Sequence, residues 1–326
     1  MRAIVLGGTG FVGRAIVQEL HERAHEVLVV HRGETEPSGG YPQRHLHVAR
    51  DDLPTVTRDI AAFEPDVIVD VAPYTASDAQ AVVDATGRGV RPIVLSSMDV
   101  YRAYRGFRTG VSTDPVPLDE TAPLREERYP YRDVIEGADR YEKLDVEDSY
   151  RPRDATVLRL GVVYGEFDGQ RREGCVLRRV RAGRRAIPVG PGTLLWSRVY
   201  VRDVAGAVRL AAENGAAAGE TFNICEAQTW PVGAWITHVI DVAGADLEQV
   251  RVPESLLPED LRITGTFAQH LLGDTGKARR MLGFNETDRQ VALERSVAWH
   301  LNHHPADDTD FTADDVALAR SSASGT

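Results

Sequence analysis

The sequence predicts an α/β protein: a doubly wound parallel sheet with a smaller, discontinuous C-terminal subdomain that binds substrate. Three observations predict it. Short runs rich in Val, Ile and Leu alternate with helical patterns through the first half, a glycine-rich turn joins the first run to the first helix, and the rhythm changes after residue 165. Uniformly apolar runs suit strands buried on both faces, and the helices between them supply right-handed crossovers.

In chain order, strands are expected at 3–6, 27–30, 67–71, 93–95 and 156–160, with helices at 11–23, 52–63, 77–86 and 138–150. Segment 102–137 breaks the rhythm, carrying Pro115, Pro117, Pro123 and Pro130 among many charges. A connection of that length inside a compact domain reads as a lid. After residue 160, a strand at 197–201 and helices at 204–214, 231–243 and 288–301 complete the ordered part. Residues 1–165 then form the sheet domain. Residues 166–302 form mainly the subdomain, with some segments returning to the sheet, and 303–326 form a flexible tail.

Composition narrows the function. Among 326 residues, 38 Lys and Arg stand against 49 Asp and Glu, a net charge of −11. That sign repels phosphate backbones and anionic lipid, so neither nucleic acid nor membrane is expected as a partner. No stretch approaches the roughly 20 apolar residues of a bilayer span. The opening apolar run is too short for a signal-peptide core, so a cytoplasmic location is expected. Cys175 and Cys225 form no CxxC pattern and no disulfide framework. His303-His304 lack the carboxylate or Cys company of a metal site, so no metal is expected.

The turn reads Gly7-Gly8-Thr9-Gly10-Phe11-Val12-Gly13. Gly7 permits the tight turn, Gly10 lets the backbone approach a pyrophosphate, and Gly13 lets helix and strand pack closely. The helix N-terminus adds unpaired N–H groups and a positive dipole end. The first domain therefore reads as a Rossmann-type NAD(P)-binding domain. Its second strand ends Val30-His31-Arg32-Gly33-Glu34. An Arg there suits a 2′-phosphate and an acidic residue suits a free ribose hydroxyl, so Arg32 favours NADP(H), with Glu34 keeping NAD(H) open.

Further segments match in order. Leu95-Ser96-Ser97-Met98-Asp99-Val100-Tyr101, Arg159-Leu160-Gly161-Val162-Val163-Tyr164-Gly165, Tyr200-Val201-Arg202-Asp203-Val204-Ala205, Thr221-Phe222-Asn223-Ile224 and the run from Lys277 to Phe284 follow the glycine turn and Arg50-Asp51-Asp52. With these motifs the chain resembles the extended short-chain dehydrogenase/reductases, the NAD-dependent epimerase/dehydratase family. The resemblance implies a cofactor lined by Gly7, Thr9, Gly10, Phe11, Val12, Gly13, Arg32, Asp51, Asp52, Ala72, Ser96, Lys143, Leu160 and Val163. It implies a substrate near Tyr101, Tyr164, Trp196 and Arg198.

Enzymes of that family use a Ser or Thr, a Tyr and a Lys. By motif position Ser97 matches the first, and Lys143 the last, with Glu147 four residues on. The tyrosine does not match: Asp139 stands four residues before Lys143. Tyr141, two residues away, would face elsewhere on a helix. Tyr141, Tyr131, Tyr101 or Asp99 could replace it, the reaction could use substrate or water as the acid, or the protein could bind cofactor without catalysis. Asp99 follows Ser97 where dehydratases carry an acidic pair, but Met98 occupies the other position, which disfavours a two-acid dehydratase.

On the substrate side, sugar-nucleotide members often carry a diphosphate-clamping Arg where Trp196 stands here, with Arg198 on the same strand face. Arg178, Arg179, Arg181, Arg184 and Arg185 read as a solvated helix face. The expected function is hydride transfer to or from a carbonyl or carbinol carbon of a small organic substrate. The alternatives are a sugar-nucleotide epimerase or dehydratase with tightly bound NAD, and a non-catalytic NADP-binding regulator. The Arg32-Gly33 ending also resembles plastid RNA-binding relatives, which the net charge opposes. A homodimer is expected only by resemblance, because 133–148 is heavily charged.

Overall fold

Strands that carry no polar alternation have to be covered on both faces, and the central sheet of this protein is. The structure, a computed structural model, describes residues 1–34, 43–305 and 310–323. Its strands are β1 (Arg2–Leu6), β2 (Glu26–His31), β3 (Arg44–His47), β4 (Val67–Asp70), β5 (Arg91–Ser97), β6 (Thr156–Leu160), β7 (Val162–Tyr164), β8 (Ala186–Val189), β9 (Arg198–Tyr200), β10 (Thr221–Ile224) and β11 (Glu248–Arg251). The α-helices are α1 (Phe11–Glu22), α2 (Thr57–Ala62), α3 (Ala76–Ala85), α4 (Arg102–Thr109), α5 (Lys143–Tyr150), α6 (Gly174–Arg181), α7 (Val201–Glu213), α8 (Val232–Val242), α9 (Gly276–Leu282), α10 (Arg289–Asn302) and α11 (Thr312–Ala323).

Seven strands form one sheet in the order β10-β6-β5-β4-β1-β2-β3, with every pairing parallel. Val5, Val29, Val69 and Leu95 pack on one side, with α1 and α7. Their strand neighbours Ile4, Leu28 and Ile68 pack on the other, with α3 and α5. The strand order reverses between β1 and β4, which pair from Ala3↔Val67 to Leu6↔Asp70. Such a reversal opens a crevice beyond the strand C-termini, where ligands bind. A separate core gathers β8, α6, α8 and α10 around Leu177, Trp235 and Leu293.

Several local expectations differ from the structure, each for a physical reason. The helix expected at 52–63 divides into a 3-10 turn over Arg50–Val56, which contains Pro54, and the short α2. Strand β3 escaped notice because its sequence, Arg-His-Leu-His, is polar, as an edge strand can be. The first eight residues of the expected lid form α4. The helix expected from 138 starts only at Lys143, because the Glu142 carboxylate accepts the Leu144 N–H at 2.9 Å and caps it there.

The largest correction concerns the C-terminus. Within the segment expected as a flexible tail, Thr312–Ala323 form α11, and arginines expected on a solvated face hold it. Arg179 is fully buried and donates to Asp314 through Nε and Nη2, both at 2.7 Å. It also reaches Asp260 at 2.8 Å. Phe311 lies under the Arg178 and Arg184 guanidiniums, and Ala317 packs with Val252 and Leu257. Asp314 and Asp315, among the acidic residues that made this segment look solvated, are partners of arginines far away in sequence. No described helix is long and apolar enough to cross a membrane.

Breaking a buried pair strands a charge, at a cost of about 3 kcal/mol or more. Asp314→Ala should therefore lower the denaturant midpoint clearly and expose α11 to protease, whereas Asp315→Ala, at a solvent-exposed pair, should change little.

Candidate active site

The glycine turn joins β1 to α1 at the reversal point. Gly7 has φ +82°, and a Cβ on Gly13 would lie 2.1 Å from the Gly7 carbonyl oxygen. The N-terminus of α1, at Gly10, has no capping side chain, so first-turn amides beside Phe11 and Val12 remain for a phosphate. A cradle that side chains would fill, facing an uncapped helix, fits a cofactor pyrophosphate. Thr9 borders it.

At the end of β2, His31 is buried and accepts the Gly33 N–H on Nδ1 at 3.2 Å. Arg32 is exposed and pairs with Glu34 at 2.8 Å. Asp51 and Asp52 are exposed on the 3-10 turn after β3. Their neighbour Arg50 turns inward and grips the buried Asp70 at 2.9 and 2.6 Å, where Tyr150 also donates at 2.7 Å. Ala72 is half-buried just beyond β4.

The chemistry-bearing groups gather past the end of β5. Ser97 starts a short 3-10 turn, its Oγ accepting the Asp99 N–H at 3.2 Å. The turn buries Asp99, whose Oδ2 accepts the hydroxyls of Tyr141 at 2.8 Å and Tyr131 at 3.0 Å. Oδ1 is buried with no hydrogen-bond partner. Burial raises the Asp99 carboxyl, opposed by the two tyrosines and by the charges of Arg125 and Lys143. Burial and Asp99 push both tyrosines up, so they stay protonated at neutral pH. The Ser97 hydroxyl opposes that rise at Tyr141.

Lys143 is buried as the first residue of α5 and donates to the carbonyls of Pro73 at 2.7 Å and Leu95 at 3.0 Å. Burial pulls its ammonium down to about 8, against the pull of Asp70 and Asp99. Its Nζ lies 5.2 Å from the Tyr74 ring centre and 5.9 Å from that of Tyr141. Tyr141 thus stands beside both Lys143 and Ser97. The helix-face objection to Tyr141 does not apply, because residue 141 precedes α5 and is free of helical periodicity.

Other expected residues lie elsewhere. Ser96 donates its hydroxyl to Glu147 at 2.6 Å, beneath the strand ends. Tyr101 is fully buried, its phenol pushed up to about 12 by burial, and its hydroxyl is spent on Asn223 at 2.7 Å inside the protein. Tyr164 is likewise buried, donating to Glu226 at 2.9 Å. Leu160 closes β6, and Val163 lies where the two large cores meet. Trp196 and Arg198 both line a cavity of about 600 Å³ in the subdomain.

Sequence reasoning missed Tyr74, Arg125 and Glu142. Tyr74 is 53% exposed after β4, with its ring 5.9 Å from that of Tyr141. Arg125 and Glu142 form a bidentate pair at 2.8 and 2.6 Å that no local pattern signals. One usable signal was composition: only two of the 38 basic residues are lysines, 143 and 277. Arg cannot be deprotonated in a protein, so a retained Lys marks a site where titration matters. His303 and His304 belong to neither cluster of potential metal ligands among the described residues, which are His31–His45–His47 and Asp168–Glu173–His300.

The fold and this cluster define a nicotinamide-cofactor enzyme of the α/β type. The model of the NAD dependent epimerase/dehydratase family matches residues 3–225, and the chain belongs to that family as an NAD(P)-dependent oxidoreductase or epimerase. It is 28% identical to the 2'-dehydrokanamycin reductase of Streptomyces kanamyceticus, over 80% of this chain and 72% of that one. It is 27% identical to a 3-diazoavenalumate denitrifying reductase of Streptomyces, over 88% and 96%. A putative epimerase from Burkholderia cenocepacia shares the fold with a TM-score of 0.71 at 21% identity, covering 93% of this chain and 98% of that one.

Lys143 makes a pH prediction. Its folded value of about 8 lies below the ordinary 10.5. Between those values the unfolded chain binds the proton and the folded one does not, so this group makes stability rise with pH across that window, by roughly 3 kcal/mol in all. Denaturation from pH 7.5 to 10.5 should show that rise as the difference between wild type and Lys143→Met.

Proposed function

We propose that this protein is an NADP(H)-dependent oxidoreductase that transfers hydride to or from a carbonyl or carbinol carbon of a small organic substrate. The observation that carries the reading is the convergence of Ser97, Tyr141 and Lys143 at the C-terminal rim of β5, beside the glycine cradle. When bound, the nicotinamide supplies or accepts the hydride. Ser97 holds the substrate oxygen, and Tyr141, kept protonated by burial and Asp99, gives it the proton. Asp99 accepts the Tyr141 and Tyr131 hydroxyls and so orients the Tyr141 phenol. Lys143 positions the cofactor ribose and the Tyr141 ring. The reductase names of the two relatives support the same reading.

NADP(H) is favoured because β2 ends in His31 and Arg32, and the Glu34 carboxylate just beyond is turned to Arg32. A 2′-phosphate would take Arg32 from Glu34, and this exposed pair costs little to separate. Titration calorimetry of the cofactor-stripped protein tests the assignment. NADPH should bind at least tenfold more tightly than NADH, and equal affinities would overturn it. Cofactor that survives purification, with turnover needing none added, would instead favour an epimerase.

Tyr141→Phe should lower kcat for carbonyl reduction by about 10² to 10⁴-fold, the usual worth of a positioned acid, while NADPH affinity stays within twofold. Unchanged kcat would assign the proton to another group. Because Lys143 loses its charge near pH 8, kcat/KM for reduction should decline above that pH, and a flat profile from 7 to 9.5 would count against its role.

A further inference from the structure

The subdomain cavity is rich in arginine, and most of that charge is already engaged. Arg178 pairs with Asp260 at 2.8 Å, and Arg171 donates to the His303 carbonyl at 3.0 Å. Arg172 and Arg198, which also line the cavity, differ. Neither has a carboxylate within 4.0 Å among the described residues. Arg198 is 8% exposed, its guanidinium lies 4.5 Å over the Trp235 ring, and its single side-chain hydrogen bond is to the Trp196 carbonyl at 3.3 Å. The Nε of Arg172 is buried with no partner. Two desolvated cations that line one cavity without a carboxylate partner are costly unless a ligand completes them.

The carboxylates near them are taken up elsewhere: Asp168, whose charge reaches Arg172, accepts the backbone N–H groups of Gln170 at 2.9 Å and Arg172 at 3.1 Å. Glu173 accepts from Ser296 at 2.7 Å and Glu226 from Tyr164 at 2.9 Å. Burial raises both to about 7, so each is partly neutral at ordinary pH. The same burial pulls Arg198 down to about 10, still charged. The rest of the wall is apolar and aromatic, with Trp196, Val232, Trp235 and Ile236.

We propose that this cavity receives an organic anion, with its compact oxyanion group, carboxylate or phosphate, between Arg198 and Arg172 and its apolar body against Trp196 and Trp235. The proposal rests on the reductase reading and names its substrate class. Trp196 is the shared wall: its Nε1–H donates to the Tyr104 hydroxyl at 3.4 Å, and Tyr104 lies within electrostatic reach of Asp99. A substrate anchored here by its anion would present a carbonyl at its opposite end to Ser97 and Tyr141. With Trp196 where sugar-nucleotide members keep their arginine, the anchor is one oxyanion group, not a diphosphate clamp.

Trp196 and Trp235 make binding visible without turnover. The full-length protein with saturating NADPH would be titrated by intrinsic fluorescence with benzoate, benzamide and inorganic phosphate. Benzoate should saturate the signal, and benzamide, its neutral counterpart, should bind at least tenfold more weakly. Arg198→Met should weaken benzoate at least tenfold, and Arg198→Lys should recover part of that. Arg172→Gln, a half-buried position, should weaken it severalfold and serves if Arg198→Met does not fold. Phosphate binding in place of benzoate would assign the oxyanion to a phosphate ester. Equal affinity for benzoate and benzamide, or binding of neither anion, would overturn the proposal. Saturable benzoate binding without turnover of any carbonyl would overturn the reductase reading and leave the anion site standing.

Discussion

Glu142 and Arg125 form a knot on which the candidate site depends. The Glu142 carboxylate caps α5 through Leu144 and accepts the Tyr129 N–H at 2.6 Å. Arg125 grips that carboxylate in a bidentate pair and reaches the carbonyls of Asp99 at 3.2 Å and Glu127 at 2.6 Å. Both side chains are 1% exposed. One ion pair therefore fixes the start of the helix carrying Lys143, the turns carrying Tyr141 and Tyr131, and the turn carrying Asp99. A bidentate pair resists rotation, so it positions as well as binds. The irregular stretch between α4 and α5 is a wall of the site because this knot anchors it to the sheet.

Around that knot, burial decides the protonation states. Lys143 loses affinity for its proton, whereas Asp99 and the two tyrosines gain it. All four follow one rule, that a low-dielectric surrounding opposes charge. The result is a pair of neutral phenol donors next to one titratable cation, which suits delivery of a proton to an oxygen as hydride arrives at carbon. The subdomain uses burial differently: Arg172 and Arg198 have no carboxylate partner within ion-pair distance among the described residues, which suits recognition of an anion.

Much of the cofactor side was legible because it depends on backbone. Gly7, Gly10 and Gly13 are needed wherever a chain turns against a phosphate, so their spacing survives in sequence and Gly13 still has no room for a methyl group. The catalytic side was half legible. Ser97 and Lys143 keep their motif places, but the spacing argument against Tyr141 assumed a helix that begins five residues too early. Tyr101 and Tyr164 looked like cleft residues because they lie at strand ends, yet each turns into the protein and finds a buried partner, Asn223 or Glu226.

The parallel sheet, the glycine cradle and the family were readable residue by residue, because strand hydrophobicity, glycine conformation and motif order are local properties. Tertiary structure alone decided where α5 starts, that Tyr141 meets Asp99 and Lys143, and that α11 closes on α6. Each of those depends on charges paired over long separations, 17 residues for Arg125–Glu142 and 135 for Arg179–Asp314. A side chain's partner at that range is set by the packing of the sheet and its helices, and no local pattern encodes it.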